Sequence, residues 1–338
     1  MKKIVILLLI TSAFSCKNIQ SVGSKDNSDP TKYMNLITEE DLKTMLYVIA
    51  SDEMEGRETG SKGQKKAGLY MIGQYKKNDV PFPKGAKEYY QHIPAAYLNA
   101  KYKENLPDSE NIWAYIEGSE KPDEVLVISA HYDHVGIQKG EIYNGADDDG
   151  SGTVAVIEIA KAFAKAKKDG HGPKRSILFL HVTGEEHGLH GSRYYSENPL
   201  FPIANTIADI NIDMIGRRDV EHSKTNNYVY VIGADRLSSD LHNITVSQNE
   251  KYSKVDLDFK FNDPKDPNHF YERSDHYNFA KHGIPSVFFF NGVHEDYHGK
   301  DDIPEKIEYD ALAKRTKLAF VVAWELANRE NRPVVDKK

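Results

Sequence analysis

The sequence predicts an α/β fold: a single domain with a mostly parallel, mixed central β-sheet sandwiched between α-helices. Short runs rich in β-branched and aromatic residues alternate along the chain with longer amphipathic stretches. This alternation is typical of strands and helices that build a parallel sheet. Several of the short runs are apolar at successive positions, which indicates strands covered on both faces.

The elements follow from these two patterns. One further edge strand is expected between the helix at Lys62 and the strand at Val125. In the last predicted helix, apolar residues recur at roughly helical spacing. The predicted strands are Ile112–Ile116, Val125–Ala130, Ile177–Val182, Ile207–Asp213, Tyr228–Ile232 and Pro285–Phe290. The predicted helices are Glu39–Ala50, Lys62–Lys77, Thr153–Lys168, Leu237–Val246 and Glu308–Asn328.

The first residues are expected to direct export. A basic start is followed by the short apolar run Ile4–Ile10 and by Ser15 before Cys16, the single cysteine of the chain. The run is too short for a membrane-spanning helix, so it predicts a signal peptide. Its end resembles the cleavage site of bacterial lipoproteins, with Cys16 as the lipidation site. Plain secretion with an incidental cysteine is the alternative.

The domain organisation follows from composition. Residues 1–16 are the predicted lipoprotein signal peptide, 17–35 a polar flexible tether, 36–330 the catalytic domain and 331–338 a polar tail. The chain is then an exported lipoprotein, held by its lipid on the periplasmic or cell-surface side of a membrane. With Cys16 lipidated, the domain has no thiol for disulfides, catalysis or zinc binding. A net charge of −7 and the lack of basic clusters argue against nucleic acid as a partner.

Acidic and histidine residues gather where predicted strands end. Ligands of open α/β sheets bind at the carboxyl ends of the strands. We therefore expect these side chains to converge at one edge of the sheet. They are His131 and Asp133 after Val125–Ala130, Glu185 and Glu186 after Ile177–Val182, Asp213, His298 after Pro285–Phe290, and Asp147–Asp149 before the helix at Thr153.

Each motif has a chemical interpretation. In His131-Tyr132-Asp133 the i, i+2 spacing lets the aspartate accept a hydrogen bond from the imidazole and orient it toward a metal. Of the adjacent Glu185 and Glu186, one can bind metal while the other acts as a general base. Asp213 lies in an apolar run, where an unpartnered carboxylate would cost several kcal/mol.

The Asp147-Asp148-Asp149-Gly150-Ser151-Gly152 loop allows three interpretations. Its spacing imitates a calcium-binding EF-hand loop, but no helix precedes it and its second half continues as a helix. A dinucleotide loop lacks the strand that must precede it and would place three carboxylates beside a pyrophosphate. The third is a tight turn that aims one carboxylate inward. Three adjacent acids repel one another, which favours a bound cation.

Other common catalytic motifs are absent from the sequence. It contains no G-x-S-x-G elbow, no P-loop and no H-E-x-x-H. His187 and His190, which follow Glu186, are therefore expected to be loop or helix-cap residues.

Taken together, the motifs resemble the bacterial leucyl aminopeptidase family of two-zinc exopeptidases, whose relatives include glutamate carboxypeptidases and glutaminyl cyclases. The resemblance is ordered and runs through most of the chain. It implies the phosphorylase/hydrolase-like fold of zinc exopeptidases and peptides as substrates. The motifs are Ala50–Arg57, His131–Asp133, Gly145–Gly152, Gly184–Gly188, Asn211–Met214, Ser274–His276 and Tyr297-His298.

The resemblance also implies a role for each site residue. Two Zn²⁺ ions per chain would be held by His131, Asp148, Glu186, Asp213 and His298, with Asp148 bridging both. Glu185 would be the general base, Asp133 the partner of His131, and Tyr297 a hydrogen-bond donor to the developing oxyanion.

Three other functions are compatible with the motifs. A glutaminyl cyclase works with one zinc, whereas all five ligands for two metals are present here. A carboxypeptidase-type exopeptidase needs basic residues for the substrate carboxylate, for which Arg193 and Arg273 are candidates. A binding protein that has lost its metals is disfavoured by the intact ligand set.

Overall fold

An eight-stranded mixed β-sheet forms the centre of the computed structural model, which describes residues 29–101 and 104–337. The strand order is β1-β2-β6-β3-β7-β10-β8-β9, and β4 and β5 form a separate hairpin. The strands are β1 Tyr90–Ile93, β2 Ser109–Ile116, β3 Lys121–His131, β4 Ile137–Gln138, β5 Glu141–Ile142, β6 Arg175–Val182, β7 Thr206–Ile212, β8 Tyr228–Ile232, β9 Asp256–Asp258 and β10 Ser286–Phe290. The predicted α/β class and mixed, mostly parallel sheet are confirmed.

The direction of the central strands determines where their ends meet. β3 pairs in parallel with β6 and β7, and β7 pairs in parallel with β10. These four strands therefore end at the same edge of the sheet, here called the carboxyl edge. On either side of this group, β2 pairs antiparallel with β6 and β8 pairs antiparallel with β10, and β1 pairs antiparallel with β2.

Helices cover both faces of the sheet. On one face α2, α3, α5 and α9 pack over a core that includes Ile128, Phe179 and Ile210. On the other face α6 and α8 contribute Tyr195 and Phe279 to a smaller core. The helices are α1 Thr31–Met34, α2 Glu39–Ile49, α3 Lys62–Lys77, α4 Ala95–Leu98, α5 Gly152–Lys168, α6 His190–Glu197, α7 Ser239–Gln248, α8 His276–Ala280 and α9 Tyr309–Asn328.

Local sequence signals fix the two helices nearest the site. The Ser61 hydroxyl accepts a hydrogen bond from the Gln64 N–H and caps α3, whose last turn carries lysines. Helix α5 begins at Gly152, where a side chain would collide with the Ile212 carbonyl and the Asp149 carboxylate. Only glycine allows α5 to start this close to the end of β7.

The ends of the chain depart from the predicted boundaries. The fold begins before residue 36, because Tyr33 is buried in α1 and stacks on Trp324 at a centroid distance of 5.6 Å. The tail after 330 is also attached, since the Asp336 carboxylate accepts the Ser239 N–H at 2.8 Å. The predicted signal peptide with Cys16, and most of the predicted tether, lie outside the described residues. Across residues 29–101 and 104–337, every helix is too short or too polar to span a bilayer.

Candidate metal centre

Four strand ends deliver the predicted site residues to the carboxyl edge of the sheet. His131 is the last residue of β3, and Asp213 directly follows β7. Glu185 and Glu186 lie three and four residues beyond the end of β6, while His298 lies in the loop after β10. Parallel pairing of these strands explains why residues more than 160 positions apart in the sequence lie together.

One group of side chains combines His131, Asp148 and Asp213. The Nε2 atom of His131 lies 3.2 Å from Asp148 Oδ1 and 3.6 Å from Asp213 Oδ1. One ligand atom from each of the three residues lies within 4.8 Å of the others. The second oxygen of Asp213 accepts a hydrogen bond from the Ser274 hydroxyl at 2.6 Å, which fixes the orientation of that carboxylate.

The other carboxylate oxygen of Asp148 faces a second group. Its Oδ2 atom lies 3.1 Å from His298 Nε2, and the same nitrogen lies 2.9 Å from Glu186 Oε2. Burial lowers the pKa of His298, but the Asp148 and Glu186 carboxylates outweigh it and raise that pKa to about 10. Asp148 is thus shared by two groups of potential ligands, one oxygen to each.

His134 is a member of the second group that the sequence reasoning missed. It is fully buried, and its Nδ1 lies 2.8 Å from Glu186 Oε1 and 3.7 Å from Asp148 Oδ2. A ligand atom of His134 lies within 4.8 Å of those of Asp148 and Glu186. The only sequence feature that could have indicated this role is its position directly after His131-Tyr132-Asp133. Strand β3 ends at His131, so the i, i+2 pattern of a strand does not include His134.

The buried polar atoms of these two groups fit bound cations. Asp148 Oδ2, Glu186 Oε1 and both ring nitrogens of His134 are buried, and although some of them lie close together, none has a partner in hydrogen-bond geometry among the residues that the structure describes. Buried polar atoms are normally hydrogen-bonded, and unpaired ones need an explanation such as an ion. Histidine nitrogens and carboxylate oxygens are the donor set that catalytic zinc prefers.

The shape of the Asp148 loop depends on a buried arginine. Arg57 is fully buried and donates hydrogen bonds to the carbonyls of Tyr132, Asn144 and Gly145, at 2.9, 2.6 and 2.8 Å. All three carbonyls precede the Asp147–Gly152 loop, and Asn144 and Gly145 lead directly into it. A planar guanidinium with five donors can hold several carbonyls in fixed directions. Arg57 belongs to the sequence motif Ala50–Arg57.

The carboxylates of Asp302 and Asp147 also support this loop through hydrogen bonds to backbone N–H groups. Both oxygens of Asp302 accept the Asp147 N–H at 3.0 Å, and one also accepts the Asp148 N–H at 3.1 Å. The Asp147 carboxylate turns away from the metal groups, accepting the Gly216 N–H at 2.6 Å and facing His294 at 3.3 Å. Of the three adjacent aspartates, Asp148 faces both groups, as the resemblance implied. The loop is the tight turn of the third interpretation.

Asp133 lies beside His131 but contacts it differently from the expectation. The Nδ1 atom of His131 lies 3.1 Å from the Asp133 backbone oxygen and 3.8 Å from its carboxylate. The carbonyl is therefore the hydrogen-bond acceptor, and the expected carboxylate contact is not formed. The chain turns after His131, so the two side chains are not on one face of a strand. The carboxylate instead accepts the Thr59 hydroxyl at 2.9 Å and the Glu185 N–H at 3.3 Å.

Glu185 and Glu186 are adjacent in sequence but differ in surroundings. Burial raises the pKa of Glu185 well above its usual range, and the negative charges of Glu186 and Asp213 add to this effect. Burial also opposes ionisation of Glu186, but the imidazoles of His134 and His298 hold the pKa of Glu186 below its usual value. Two carboxyls whose pKa values are separated by their surroundings are typical of distinct roles in one site.

A narrow pocket opens beside the ligand groups. Glu185 lines it together with His131, Asp148 and Asp213. The opposite wall carries Tyr297, whose ring stacks on His298 at a centroid distance of 4.0 Å. The lining also includes Arg273 and the apolar side chains of Met214, Phe270, Phe288, Phe290 and Val293.

Arg273 and Arg193 are separated by the structure. Arg273 lines this pocket, and its guanidinium lies 3.5 Å from the Tyr297 hydroxyl. Arg193 instead contacts His190 at 2.7 Å and Tyr97 at 3.1 Å. His187 contacts Glu58 and Glu104, so neither His187 nor His190 belongs to the two ligand groups.

The chain is similar in sequence to curated proteins described as probable zinc metalloproteases and leucine aminopeptidases. A probable zinc metalloprotease from Pyrenophora teres f. teres is 24% identical over 261 residues, covering 66% of this chain and 52% of the relative. A probable leucine aminopeptidase from Trichophyton verrucosum is 30% identical over 228 residues, covering 64% and 57%. The chain spans about half the length of the first of these relatives.

The fold is also shared with solved structures. The crystal structure of the Legionella pneumophila LapA aminopeptidase superimposes with a TM-score of 0.69 at 21% identity, covering 98% of this chain and 81% of LapA. Residues 111–323 match the sequence profile of peptidase family M28, and this range contains every predicted metal ligand. The family resemblance of the motifs is therefore confirmed, and the chain belongs to peptidase family M28.

Proposed function

We propose that this protein is a co-catalytic two-zinc aminopeptidase that removes N-terminal residues from peptides. The observation that carries the proposal is the position of Asp148. Its two oxygens face two separate groups of ligands, His131 with Asp213 and Glu186 with His298. A shared carboxylate of this kind suits a pair of ions in one site.

The residues around the pocket have distinct roles in the proposed reaction. When bound, zinc would polarise the scissile carbonyl and lower the pKa of a water molecule. Glu185 lies against the same pocket but outside both ligand groups, so it is free to accept a proton from the attacking water. It then returns that proton to the leaving amine. The Tyr297 hydroxyl, beside Arg273, donates a hydrogen bond to the oxygen that becomes negatively charged.

The pocket lining supports an apolar residue at the cleaved N-terminus. The apolar lining, which includes Phe270, Phe288 and Phe290, offers contact area for an apolar substrate side chain. It contains no acid that would select a basic side chain. The acids of the pocket belong to the ligand groups and to Glu185. The relative from Trichophyton verrucosum is named a leucine aminopeptidase, which agrees with this preference.

One observation favours a carboxypeptidase-type reaction as a second candidate. Within the described residues, the Arg273 guanidinium contacts the Tyr297 hydroxyl and the Phe270 ring rather than a carboxylate. A guanidinium without an acidic partner in a substrate pocket can bind a substrate carboxylate through two parallel hydrogen bonds. The terminal carboxylate of a short peptide is one such group.

A hydrolysis panel with metal counting distinguishes these functions. We expect two zinc ions per chain and release of leucine from peptides with a free N-terminus, including C-terminally amidated ones. N-acetylated peptides should resist cleavage. Release of the C-terminal residue from N-acetylated peptides would favour the carboxypeptidase reaction. Cyclisation of N-terminal glutamine with one bound ion would indicate a glutaminyl cyclase instead.

We also propose that the exported protein carries a lipid on Cys16. The support is the apolar run Ile4–Ile10, followed by Ser15 and a cysteine that has no second thiol to pair with. Labelled fatty acid should enter the wild-type protein in a bacterial host and fail to enter Cys16→Ala. Equal labelling of both proteins would exclude this site.

A further inference from the structure

A second cavity lies at the opposite end of the molecule from the metal centre. It has a volume of about 890 Å³ and is bounded by the segment after α3, the end of β2 and the last turns of α5. Helix α5 starts at Gly152 beside Asp149 and has 17 residues. At 1.5 Å per residue, its far end is about 25 Å from the metal ligands. We call this cavity the lysine groove.

The lysine groove combines an apolar floor with a basic rim. Phe82 remains 37% exposed although it is a large aromatic residue. The apolar lining includes Leu36, Phe82, Tyr115, Ile116 and Ala164. The rim carries Lys77, Lys84, Lys161, Lys165, Lys167 and Lys168, with Asp79 and Glu117 as its acids. Apolar surface bordered by lysines suits a ligand that is both anionic and hydrophobic.

Three of the six rim lysines are available for an external partner. Lys161 is committed, since it contacts Asp41 at 2.8 Å and Glu158 at 3.0 Å, and Lys165 contacts Asp169. Lys84 is 86% exposed and 4.0 Å from Glu117. Lys168 is 74% exposed and 3.7 Å from Asp79, a weak contact at the surface. Lys167 donates a hydrogen bond to the Glu117 carbonyl at 2.9 Å, so exposed Lys77 completes a set of three outward lysines.

The described chain begins beside the same groove. Lys32, in the first helix, contacts Asp169 at 2.7 Å, and Asp169 also contacts Lys165 of the rim. Asp29 lies 13 positions after Cys16. A segment of that length reaches at most about 45 Å. A lipid on Cys16 would therefore keep this end of the molecule close to the bilayer.

We propose that the lysine groove docks on the surface of an anionic phospholipid bilayer. The three outward lysines, Lys77, Lys84 and Lys168, contact lipid phosphates, and the floor around Phe82 accepts acyl-chain or interfacial apolar surface. One lipid chain combined with a basic surface gives far more stable membrane binding than either alone. The metal centre then points away from the membrane, about 25 Å from the docked end.

Sedimentation with lipid vesicles tests the docking surface. The protein is the chain from residue 17 onward, the form that remains after removal of the predicted signal peptide, so that neither an attached lipid nor the apolar run Ile4–Ile10 contributes. We expect it to sediment with phosphatidylcholine vesicles containing phosphatidylglycerol, more than with pure phosphatidylcholine, and to be released by salt. Lys77→Glu/Lys84→Glu/Lys168→Glu should lower the partition coefficient at least about tenfold, because each lysine at such a surface contributes severalfold.

A matched control separates docking from overall charge. Lys224→Glu/Lys254→Glu/Lys265→Glu makes the same charge change on exposed lysines near β8 and β9, at the other edge of the sheet. It should retain most of the binding. Equal losses in the two triple variants, or no preference for anionic vesicles in the parent chain, would overturn the proposal.

Two further measurements show whether a loss of vesicle binding comes from the lysine charges or from misfolding. The glutamine version, Lys77→Gln/Lys84→Gln/Lys168→Gln, should show a smaller loss in the same direction. Hydrolysis of a soluble peptide should be equal in all these variants if they are folded. The proposal rests on the proposed lipid anchor only for how the groove reaches a bilayer. Failure of the anchor appears in the labelling experiment, and failure of docking appears in sedimentation.

Discussion

Glu185→Gln should lower kcat by about 10²–10⁴ while the zinc content per chain stays unchanged. The amide keeps the size of the side chain but cannot accept the proton of the attacking water. Glu185 lies outside both ligand groups, so its loss leaves the metal-binding atoms in place. Steady-state kinetics on a leucine peptide, with zinc measured by elemental analysis of the same sample, gives both quantities.

The adjacent residue supplies the control for this prediction. Glu186 faces His134 and His298 at 2.8 and 2.9 Å, so Glu186→Gln should lose zinc as well as activity. The two variants differ by one position and make the same chemical change. A fully active Glu185→Gln protein, or one that has lost its zinc, contradicts the role of Glu185 as base.

Asp148→Asn should remove both zinc ions and reduce activity to background. The carboxylate offers one oxygen to each ligand group, and an asparagine has one oxygen for two ions. The expected loss in affinity exceeds the roughly 10–100-fold effect typical of residues that only orient ligands. Zinc titration of the metal-stripped protein, followed by isothermal calorimetry, measures it.

Asp147→Asn is the matched comparison for the bridging residue. Asp147 precedes Asp148 but accepts the Gly216 N–H and faces His294, so it supports the loop without facing the ligands. We expect an affinity loss of about 10–100-fold, with two ions still bound at saturation. If Asp147→Asn lost both ions and Asp148→Asn kept them, the assignment of the bridge would be wrong.

The central elements could be predicted because their sequence patterns are strong. Strand β8 and helix α3 have the predicted bounds, and the remaining predicted strands and helices differ by a few residues at their ends. Strand β3 begins at Lys121 rather than Val125, because pairing with Arg175 of β6 extends it through polar residues. The short edge strand Asp256–Asp258 was not predicted, since three residues of mixed polarity carry no periodic signal.

The site could be predicted only as far as strand ends determine it. The sequence placed five potential ligands at one sheet edge, and the structure brings all five together. It could not show that His134 turns inward after the strand, because that depends on the backbone path beyond His131. The same turn explains why the Asp133 carbonyl, not its carboxylate, contacts His131. The lysine groove was not predicted, because its rim is formed by three segments that are far apart in the sequence.

Arg57 has a consequence for how this protein can be divided. The segment that matches the family profile starts at residue 111, yet the carbonyls of Tyr132, Asn144 and Gly145 inside it are bound by a side chain that precedes it by more than fifty positions. A fragment cut at the profile boundary would leave these three carbonyls without their donor. The smallest autonomous unit of this peptidase must therefore begin upstream of Arg57, and an exchange of domains between relatives should carry that segment along.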